Sequence, residues 1–229
     1  IETTRAWDVD GDGFLEIVPN TPGGPLVVYK LEVDEQGRGR AAFRAIPLYD
    51  GPQGHGLGFG DLNGNGRGDF VLSNGWLEAP PGRLDGEWVF HPDFDLGNAG
   101  VPILVVDVNG DGVNDLIVGQ AHGYGLHWYE QRIDDGRRSL VKHPIDLENS
   151  QYHDMQWVDI DGDGHCELVT GKRYRAHCGE DPGADDPAGI YYFKWNGECF
   201  SKQVVDFGGP SVGKGCGIHF ALADLSCNG

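Results

Sequence analysis

Short apolar segments alternate with clusters of Gly, Pro, Asp and Asn along the whole chain. Clear examples are residues 102–106, 116–118 and 125–130, which are rich in Val, Ile, Leu and aromatic side chains. Each segment is shorter than a usual helix and is bounded by residues that favour turns. We therefore predict an all-β protein built from short strands.

One loop pattern recurs between these segments, roughly every 50 residues. Each copy has Asp or Asn at positions 1, 3 and 5, Gly at positions 4 and 6, and an acid at position 9. Four copies that share the ninth-position acid indicate a structural repeat rather than isolated turns. A fifth copy begins at Asp224. The polar positions of the four copies are Asp8, Asp10, Asp12 and Glu16; Asp61, Asn63, Asn65 and Asp69; Asp107, Asn109, Asp111 and Asp115; and Asp159, Asp161, Asp163 and Glu167.

Four strand-like segments accompany each loop, and four strands per repeat of this length is the pattern of a β-propeller blade. We predict that residues 1–229 form a single, partial propeller domain, with repeats that begin at about residues 8, 61, 107, 159 and 224. The outermost strand of the second repeat is hard to place. An incomplete ring would expose two blade edges, which favours attached domains or an oligomer that pairs through those edges.

The repeated loops are predicted to bind several calcium ions. Calcium prefers six to eight oxygen ligands, and the oxygens at positions 1, 3, 5 and 7 resemble the first half of an EF-hand loop. An EF-hand also needs a bidentate Glu at position 12, where this chain has Pro19, Leu72, Val118 or Thr170. The acid at position 9 and the flanking strands therefore exclude an EF-hand. The two asparagines of the second loop predict weaker binding there.

The loops, their spacing and the flanking strands resemble the FG-GAP/VCBS repeat family of propellers. Phe59 and Gly60 match the first half of that name, whereas the Gly-Ala-Pro half is absent, which argues against a close integrin-type relative. Seven-bladed rings are common in this family. The resemblance thus implies that the chain supplies four blades of such a ring and the start of a fifth.

The charge of the chain excludes some partners. It has 36 acidic and 17 basic side chains and a net charge of −19. No nucleic-acid partner is expected, because the attraction to phosphate would have the wrong sign. No apolar run is long enough to span a membrane. We predict an extracellular or periplasmic location, although no signal peptide is visible in this sequence.

Five histidines are predicted to gather on one face of the propeller, opposite the calcium loops. His55, His153 and His219 stand five or six residues before a loop aspartate, so each should open an innermost strand. His122 and His177 follow the second strands of the third and fourth repeats. Imidazoles suit zinc, and the first three are predicted to form a zinc site. The other histidines are assigned to packing or to the surface: His91, His127, His143 and His165.

Further reactive side chains are predicted to surround the histidines. The loop at residues 171–183 is long and rich in polar groups, and such loops often carry function. Tyr152 and Asp154 flank His153, and Trp76 lies in the matching loop of the second repeat, where it can stack on a sugar ring. The predicted substrate-binding residues are Trp76, Tyr152, Asp154, Lys172, Arg173 and Arg175, and the predicted acid–base residues are His122, Tyr174 and His177.

Residues 171–193 resemble a segment of the propeller domain found in aldos-2-ulose dehydratase/isomerase and related bacterial proteins. The shared motifs are Gly-Lys-Arg-Tyr, Ala-His, Asp-Pro-Gly-Ala and Gly-Ile-Tyr-Tyr-Phe. The resemblance implies a zinc ion that polarises the carbonyl of a keto-sugar, and a base that removes the adjacent proton with loss of water. It does not align the zinc ligands one by one.

Two kinds of function compete at this point. One is a zinc-dependent dehydratase or lyase that acts on a carbohydrate or another small molecule. The other is a calcium-stabilised propeller that binds glycans or proteins and catalyses nothing, because a fold alone does not decide function. A purely structural repeat array would leave the 171–183 loop unexplained. The histidine cluster favours the first alternative, since a glycan-binding site needs no imidazole cage.

Overall fold

The computed structural model describes residues 2–225 and contains sixteen strands in four antiparallel sheets. In each sheet the strands are neighbours in the order in which they occur in the chain. The first sheet comprises β1 (Thr3–Trp7), β2 (Glu16–Asn20), β3 (Leu26–Val33) and β4 (Gly39–Tyr49). The second comprises β5 (Leu57–Gly60), β6 (Asp69–Leu72), β7 (Gly75–Glu78) and β8 (Val89–His91).

The remaining sheets follow the same plan. The third comprises β9 (Leu104–Val106), β10 (Asp115–Gly119), β11 (Tyr124–Asp134) and β12 (Arg137–Ser150). The fourth comprises β13 (Tyr152–Val158), β14 (Glu167–Lys172), β15 (Ala188–Trp195) and β16 (Phe200–Gly208). Two short 3-10 helices lie at Arg83–Asp85 and Ala176–Gly179. Four-stranded antiparallel meanders are the blades of β-propellers, which confirms the predicted fold class.

The first compact unit, residues 1–97, contains the first two sheets. An aromatic cluster packs β1 against the second sheet, with ring centroids of Trp7 and Phe59 5.7 Å apart and those of Phe59 and Phe70 4.9 Å apart. Trp88 adds a fourth ring, 5.3 Å from Phe70. Phe70 is fully buried. Offset and tilted ring pairs of this kind add to the free energy of burial, so the cluster holds these two blades together.

The second compact unit, residues 98–229, contains the third and fourth sheets. Its core joins side chains of both sheets, among them Ile117, Leu126, Leu168 and Phe193, all of which are fully buried. The apolar residues of β10 and β14 have no solvated face: every residue of these two strands is buried. The second strand of each blade therefore lies inside the unit.

Two elements differ from what the sequence predicts. The outermost strand of the second repeat, which the sequence left unplaced, is the short β8. Residues 218–222 were predicted as an innermost strand but are not in a strand. They lie beside β13 instead, where Phe220 N–H donates to Asp154 Oδ2 and Gln156 Nε2 donates to Phe220 O. The loop predicted to begin at Asp224 falls largely outside the described residues.

Within the described residues no helix is long and apolar enough to cross a membrane. The only helical segments among them are the two 3-10 turns.

Replacing a core ring of the second unit should destabilise the protein strongly. Phe193→Ala removes a fully buried ring, and a phenylalanine-to-alanine cavity costs about 3–5 kcal/mol. Urea unfolding followed by circular dichroism measures this loss. The matched control is Phe207→Ala on β16, where the ring is 56% exposed and the change should stay within about 0.5 kcal/mol. Equal losses in both variants would contradict this account of the core.

Candidate functional site

The four repeated loops have one backbone conformation, and glycine permits it. The glycines at positions 4 and 6 all have φ between +70° and +89°, a region that side chains with a Cβ rarely adopt. This turn directs the N–H of position 6 to the carboxylate at position 1 in every copy. The four bonds are Gly13 to Asp8 (3.0 Å), Gly66 to Asp61 (2.7 Å), Gly112 to Asp107 (2.9 Å) and Gly164 to Asp159 (2.9 Å).

The acid at position 9 ends each loop and bonds back to its beginning. It is fully buried in all four copies and accepts the N–H of position 2. The four bonds are Val9 to Glu16 (2.9 Å), Leu62 to Asp69 (3.0 Å), Val108 to Asp115 (3.3 Å) and Ile160 to Glu167 (3.0 Å). A buried carboxylate is costly unless it is paired, so each copy needs a second partner for this group.

In the first and fourth loops the second partner is a lysine. Lys30 Nζ lies 2.5 Å from Asp10, 2.6 Å from Asp12 and 3.1 Å from Glu16. Lys194 occupies the same position in the fourth loop, where its Nζ lies 2.6–3.2 Å from three carboxylates. The ammonium groups thus neutralise part of the negative charge of these two loops.

In the second and third loops the partner is a backbone N–H group, directly after the third strand in the second repeat and within it in the third. Asp69 Oδ1 accepts from Ala79 N–H at 2.9 Å, and Asp115 Oδ1 accepts from Gln131 N–H at 2.8 Å. Trp128 Nε1 donates to Asp115 as well, at 2.9 Å. Burial nevertheless outweighs these bonds and raises the pKa of Asp69 to about 6, and it also raises the pKa of Asp115.

The donor chemistry of the loops fits calcium. Among residues 2–225, carboxylate oxygens of Asp8, Asp10 and Glu16 lie within 4.8 Å of one another, as do those of Asp159, Asp161 and Glu167. In the first loop, Asp8 Oδ1 is buried and accepts no hydrogen bond from the described residues. Such an oxygen is a ligand that a cation can use, although in these two loops it must share the carboxylates with the lysine.

A second group of potential metal ligands lies in the second unit, at His122, His177 and Asp181. His122 Nδ1 is 3.1 Å from Asp181 Oδ2, and His177 Nδ1 is 3.0 Å from the same oxygen. The two imidazole rings stack with centroids 4.6 Å apart. His122 follows β10, whereas His177 and Asp181 belong to the long loop after β14, so the third and fourth blades both contribute to this group.

Two buried residues at the start of β13 support the group. Gln151 is fully buried and its Nε2 donates to Asp181 Oδ2 at 3.2 Å. The ring of His153, which is 1% exposed, lies 6.0 Å from that of His122. Gln151, Arg175, His177 and Cys178 all have positive φ although none is glycine. Backbone strain of this kind concentrates where a structure holds functional side chains in place.

The carboxylate of Asp181 is held in its charged form. Burial alone would raise the pKa of Asp181, but the hydrogen bonds from His122 and His177 outweigh burial and bring it below its ordinary value. His177 is half-exposed, with 53% of its side-chain surface accessible, whereas Asp181 is 13% exposed. A solute can therefore reach the group from the side of His177.

The chain matches a family model described as an FG-GAP-like repeat, over residues 8–72 and 107–170. The two matched segments together make up more than half of the chain. The chain belongs to the FG-GAP-like repeat family. Each match begins at the first aspartate of a repeated loop and ends within the second strand of the following blade, so it covers the loops described above. A search of curated proteins found no match.

In this FG-GAP propeller, only some of the predicted site residues are accessible on the loop that carries His177. Tyr174, 39% exposed, and Arg175 lie on the long loop, and Arg175 Nε forms an ion pair with Asp185 at 3.3 Å. Lys172 is fully buried, and its Nζ donates to Arg173 O at 2.9 Å. Burial lowers the pKa of Lys172. The side chain of Lys172 therefore lies in the interior of the blade.

Three other predicted substrate-binding residues are also internal. Trp76 is 4% exposed; its ring stacks on His91 at 4.4 Å and its Nε1 donates to Asp93. Tyr152 and Asp154 are fully buried. Side chains with so little accessible surface cannot contact a sugar without rearrangement.

One of the three predicted zinc ligands, His219, lies away from the potential metal-ligand groups. His219 Nδ1 lies 3.3 Å from Asp154 Oδ2, and 65% of its side chain is exposed. Among the described residues, no group of potential metal ligands includes His219. The reason is that residues 218–222 do not form the predicted strand. In the first unit, His55 Nε2 lies 3.4 Å from Glu2 Oε1.

Sequence reasoning missed four residues that matter in these sites. Asp181 lies in the long loop that the sequence singles out, but no pattern assigns a role to it or to Gln151, because a lone acid or amide carries none. Lys30 and Lys194 did carry one. Both follow an aromatic residue in the third strand of their repeat, in Tyr29-Lys30 and Phe193-Lys194, and alignment of the repeats beyond the loop would have found them.

The hydroxyl of Tyr152 donates to one member of a partly buried ion pair, Asp146 with Lys202, whose contribution to stability depends on pH. Tyr152 OH donates to Asp146 Oδ2 at 2.7 Å, and Lys202 Nζ lies 2.5 Å from the same oxygen. Burial would raise the pKa of Asp146, but the bonds from Lys202, Tyr152 and Asn149 outweigh it and lower the pKa to about 2. The charged carboxylate therefore stabilises the fold above its ordinary pKa, and this contribution is lost as the pH falls through the folded pKa.

We expect Asp146→Asn to lose about 2 kcal/mol of stability at neutral pH. The variant should also show a shallower loss of stability than the parent protein between about pH 5 and pH 2. Urea unfolding across this pH range measures both effects. Asp135→Asn, in an exposed turn, is the control and should leave the pH profile unchanged. A pH profile of Asp146→Asn that matches the parent would contradict the ion-pair account.

Proposed function

We propose that this FG-GAP propeller binds a transition metal, with zinc as the best fit, through His122, His177 and Asp181, and that the metal site acts on a carbohydrate. The observation that carries the proposal is the convergence of two imidazole nitrogens on one charged carboxylate. In a tetrahedral zinc site with bonds of about 2.0–2.1 Å, neighbouring ligand atoms lie about 3.3 Å apart. The separations of 3.0–3.2 Å between the histidine Nδ1 atoms and the Asp181 oxygens are close to that value.

The ligand set also leaves room for a substrate. Catalytic zinc sites have three protein ligands and an open fourth position, whereas structural sites are closed by four. Two imidazoles and a carboxylate satisfy the first description. Gln151 donates to Asp181 and so orients this carboxylate, as outer hydrogen bonds do at metal sites.

In this proposal the bound zinc supplies a Lewis acid for a carbonyl or hydroxyl oxygen of the substrate. The chain's own residues do the rest. Tyr174 is the remaining candidate for proton transfer, because it is partly exposed and belongs to the same loop as His177. Arg175 and Arg173 are the candidates for binding substrate oxygens. His122 and His177, first assigned to acid–base work, serve as ligands instead.

The repeated loops contribute stability rather than chemistry. Calcium bound to them would tie the first and second strands of each blade and offset carboxylates that repel one another. An extracellular or periplasmic location fits this proposal, because calcium is abundant there. Attached domains or an oligomer would pair with open edges of the blades, because each outermost strand (β4, β8, β12 and β16) has a neighbouring strand on one side only.

Zinc binding tests the proposal directly. The purified protein is stripped with chelator, reloaded with zinc, and analysed by elemental mass spectrometry. We expect about one zinc per chain, lost in His122→Ala and in Asp181→Asn. His165→Ala, which removes an exposed histidine in the fourth loop, is the control and should keep its zinc. Zinc-free parent protein, or full occupancy in both variants, would overturn the assignment of the site.

Catalysis needs a separate assay. The zinc-loaded protein is incubated with keto-sugars, and the formation of an unsaturated product is followed by its ultraviolet absorbance. Turnover that disappears in His122→Ala supports the hypothesis that the metal site acts on a carbohydrate. Zinc binding without turnover, combined with saturable binding to glycans, would replace the enzyme with the non-catalytic glycan-binding alternative.

A further inference from the structure

The four repeats fall into two classes when their third strands are compared. In the first and fourth repeats, the ninth-position acid is Glu and the residue opposite it on the third strand is Lys, as in Glu16 with Lys30. In the second and third repeats, the acid is Asp and the opposite residue is Glu, as in Asp69 with Glu78. Two positions thus change together, which a chance substitution at one position does not explain.

A third position follows the same division. Where the third strand carries Glu, a histidine of the fourth strand binds it: His91 Nε2 lies 3.0 Å from Glu78, and His143 Nε2 lies 2.8 Å from Glu130. Each histidine also stacks on a tryptophan, at 4.4 Å and 4.6 Å. Both glutamates of this class therefore contact the fourth strand, and Glu78 Oε1 also accepts from Asn63 Nδ2 of its own loop at 3.2 Å.

In the other class the third-strand side chain brings a positive charge into the loop. The three carboxylates around Lys30 Nζ include two of the three first-loop residues whose oxygens could hold a metal, Asp10 and Glu16. The same holds for Lys194 with Asp161 and Glu167. An ammonium group therefore stands where a divalent cation would take its ligands.

We infer that Lys30 and Lys194 are built-in competitors of calcium in the first and fourth loops. Calcium can occupy these loops only after the ammonium group has left the carboxylates, so the lysines lower the affinity of both loops. The second and third loops have no lysine at this position and bind without such competition. This inference is independent of the histidine group and of any zinc bound there.

The charges of the loops explain what the lysines contribute when no calcium is bound. Each loop concentrates three acidic or amide side chains, at positions 1, 3 and 5, around the fully buried carboxylate at position 9. Without a cation, those carboxylates repel one another at short range. Lys30 Nζ lies 2.5–3.1 Å from three of these carboxylates and so offsets their repulsion. In this inference the lysine keeps the loop closed when calcium is scarce.

Calcium affinity measured by titration calorimetry is the first test. We expect Lys30→Met and Lys194→Met to raise the calcium affinity of one class of sites by at least about tenfold, because a positive charge in direct contact with the ligands is removed. Lys142→Met is the matched control: it removes an exposed lysine from strand β12, away from the loops. Unchanged affinity in the loop variants, or an equal rise in Lys142→Met, would overturn the inference.

A second test uses the parent protein and does not depend on the folding of variants. Reductive methylation modifies accessible amines, and mass spectrometry reports the extent at each lysine. In chelator, Lys30 and Lys194 should react slowly because carboxylates hold their ammonium groups, whereas Lys142 should react fully. Millimolar calcium should release both lysines and raise their methylation several-fold. Methylation of Lys30 and Lys194 that does not respond to calcium would show that the ammonium and the metal do not compete.

Discussion

A buried carboxylate at the ninth position of each loop is the constraint on which every blade depends. It accepts the N–H of position 2, and so fixes where the turn between the first two strands begins. The position is fully buried in all four copies. Because a buried charge is costly without partners, the residues around it are restricted as well. The rest of the repeat, including its third strand, is arranged to supply those partners.

The chain meets this constraint in two ways. A glutamate reaches an ammonium group on the third strand, whereas an aspartate, one methylene shorter, is met by backbone N–H within that strand or directly after it. Each choice has consequences further out in the blade. The lysine is drawn into the loop, and the glutamate that replaces it is available to a histidine of the fourth strand. A single buried carboxylate thus determines side-chain directions across three strands.

The histidine group depends on a different feature, the long connection after β14. Short turns follow most second strands, but here the loop folds back so that His177 and Asp181 meet His122 of the preceding blade. Residues with positive φ cluster in this connection. Gln151, directly before β13, donates a hydrogen bond to Asp181 of the same connection. The strain is tolerated because the sheets on either side share one hydrophobic core, whose packing offsets the cost.

The sequence alone determined the fold class, because the spacing of Asp, Asn and Gly sets the loop backbone and the apolar segments between loops have strand length. It also identified His122 and His177 as candidate site residues. It could not select Asp181 or reject His219, because those depend on how a long loop closes and on whether residues 218–222 pair as a strand. Burial likewise decided that Trp76, Tyr152 and Lys172 face the interior. Local pattern fixes backbone conformation, whereas the contacts of a side chain depend on neighbours that are distant in sequence and adjacent only after folding.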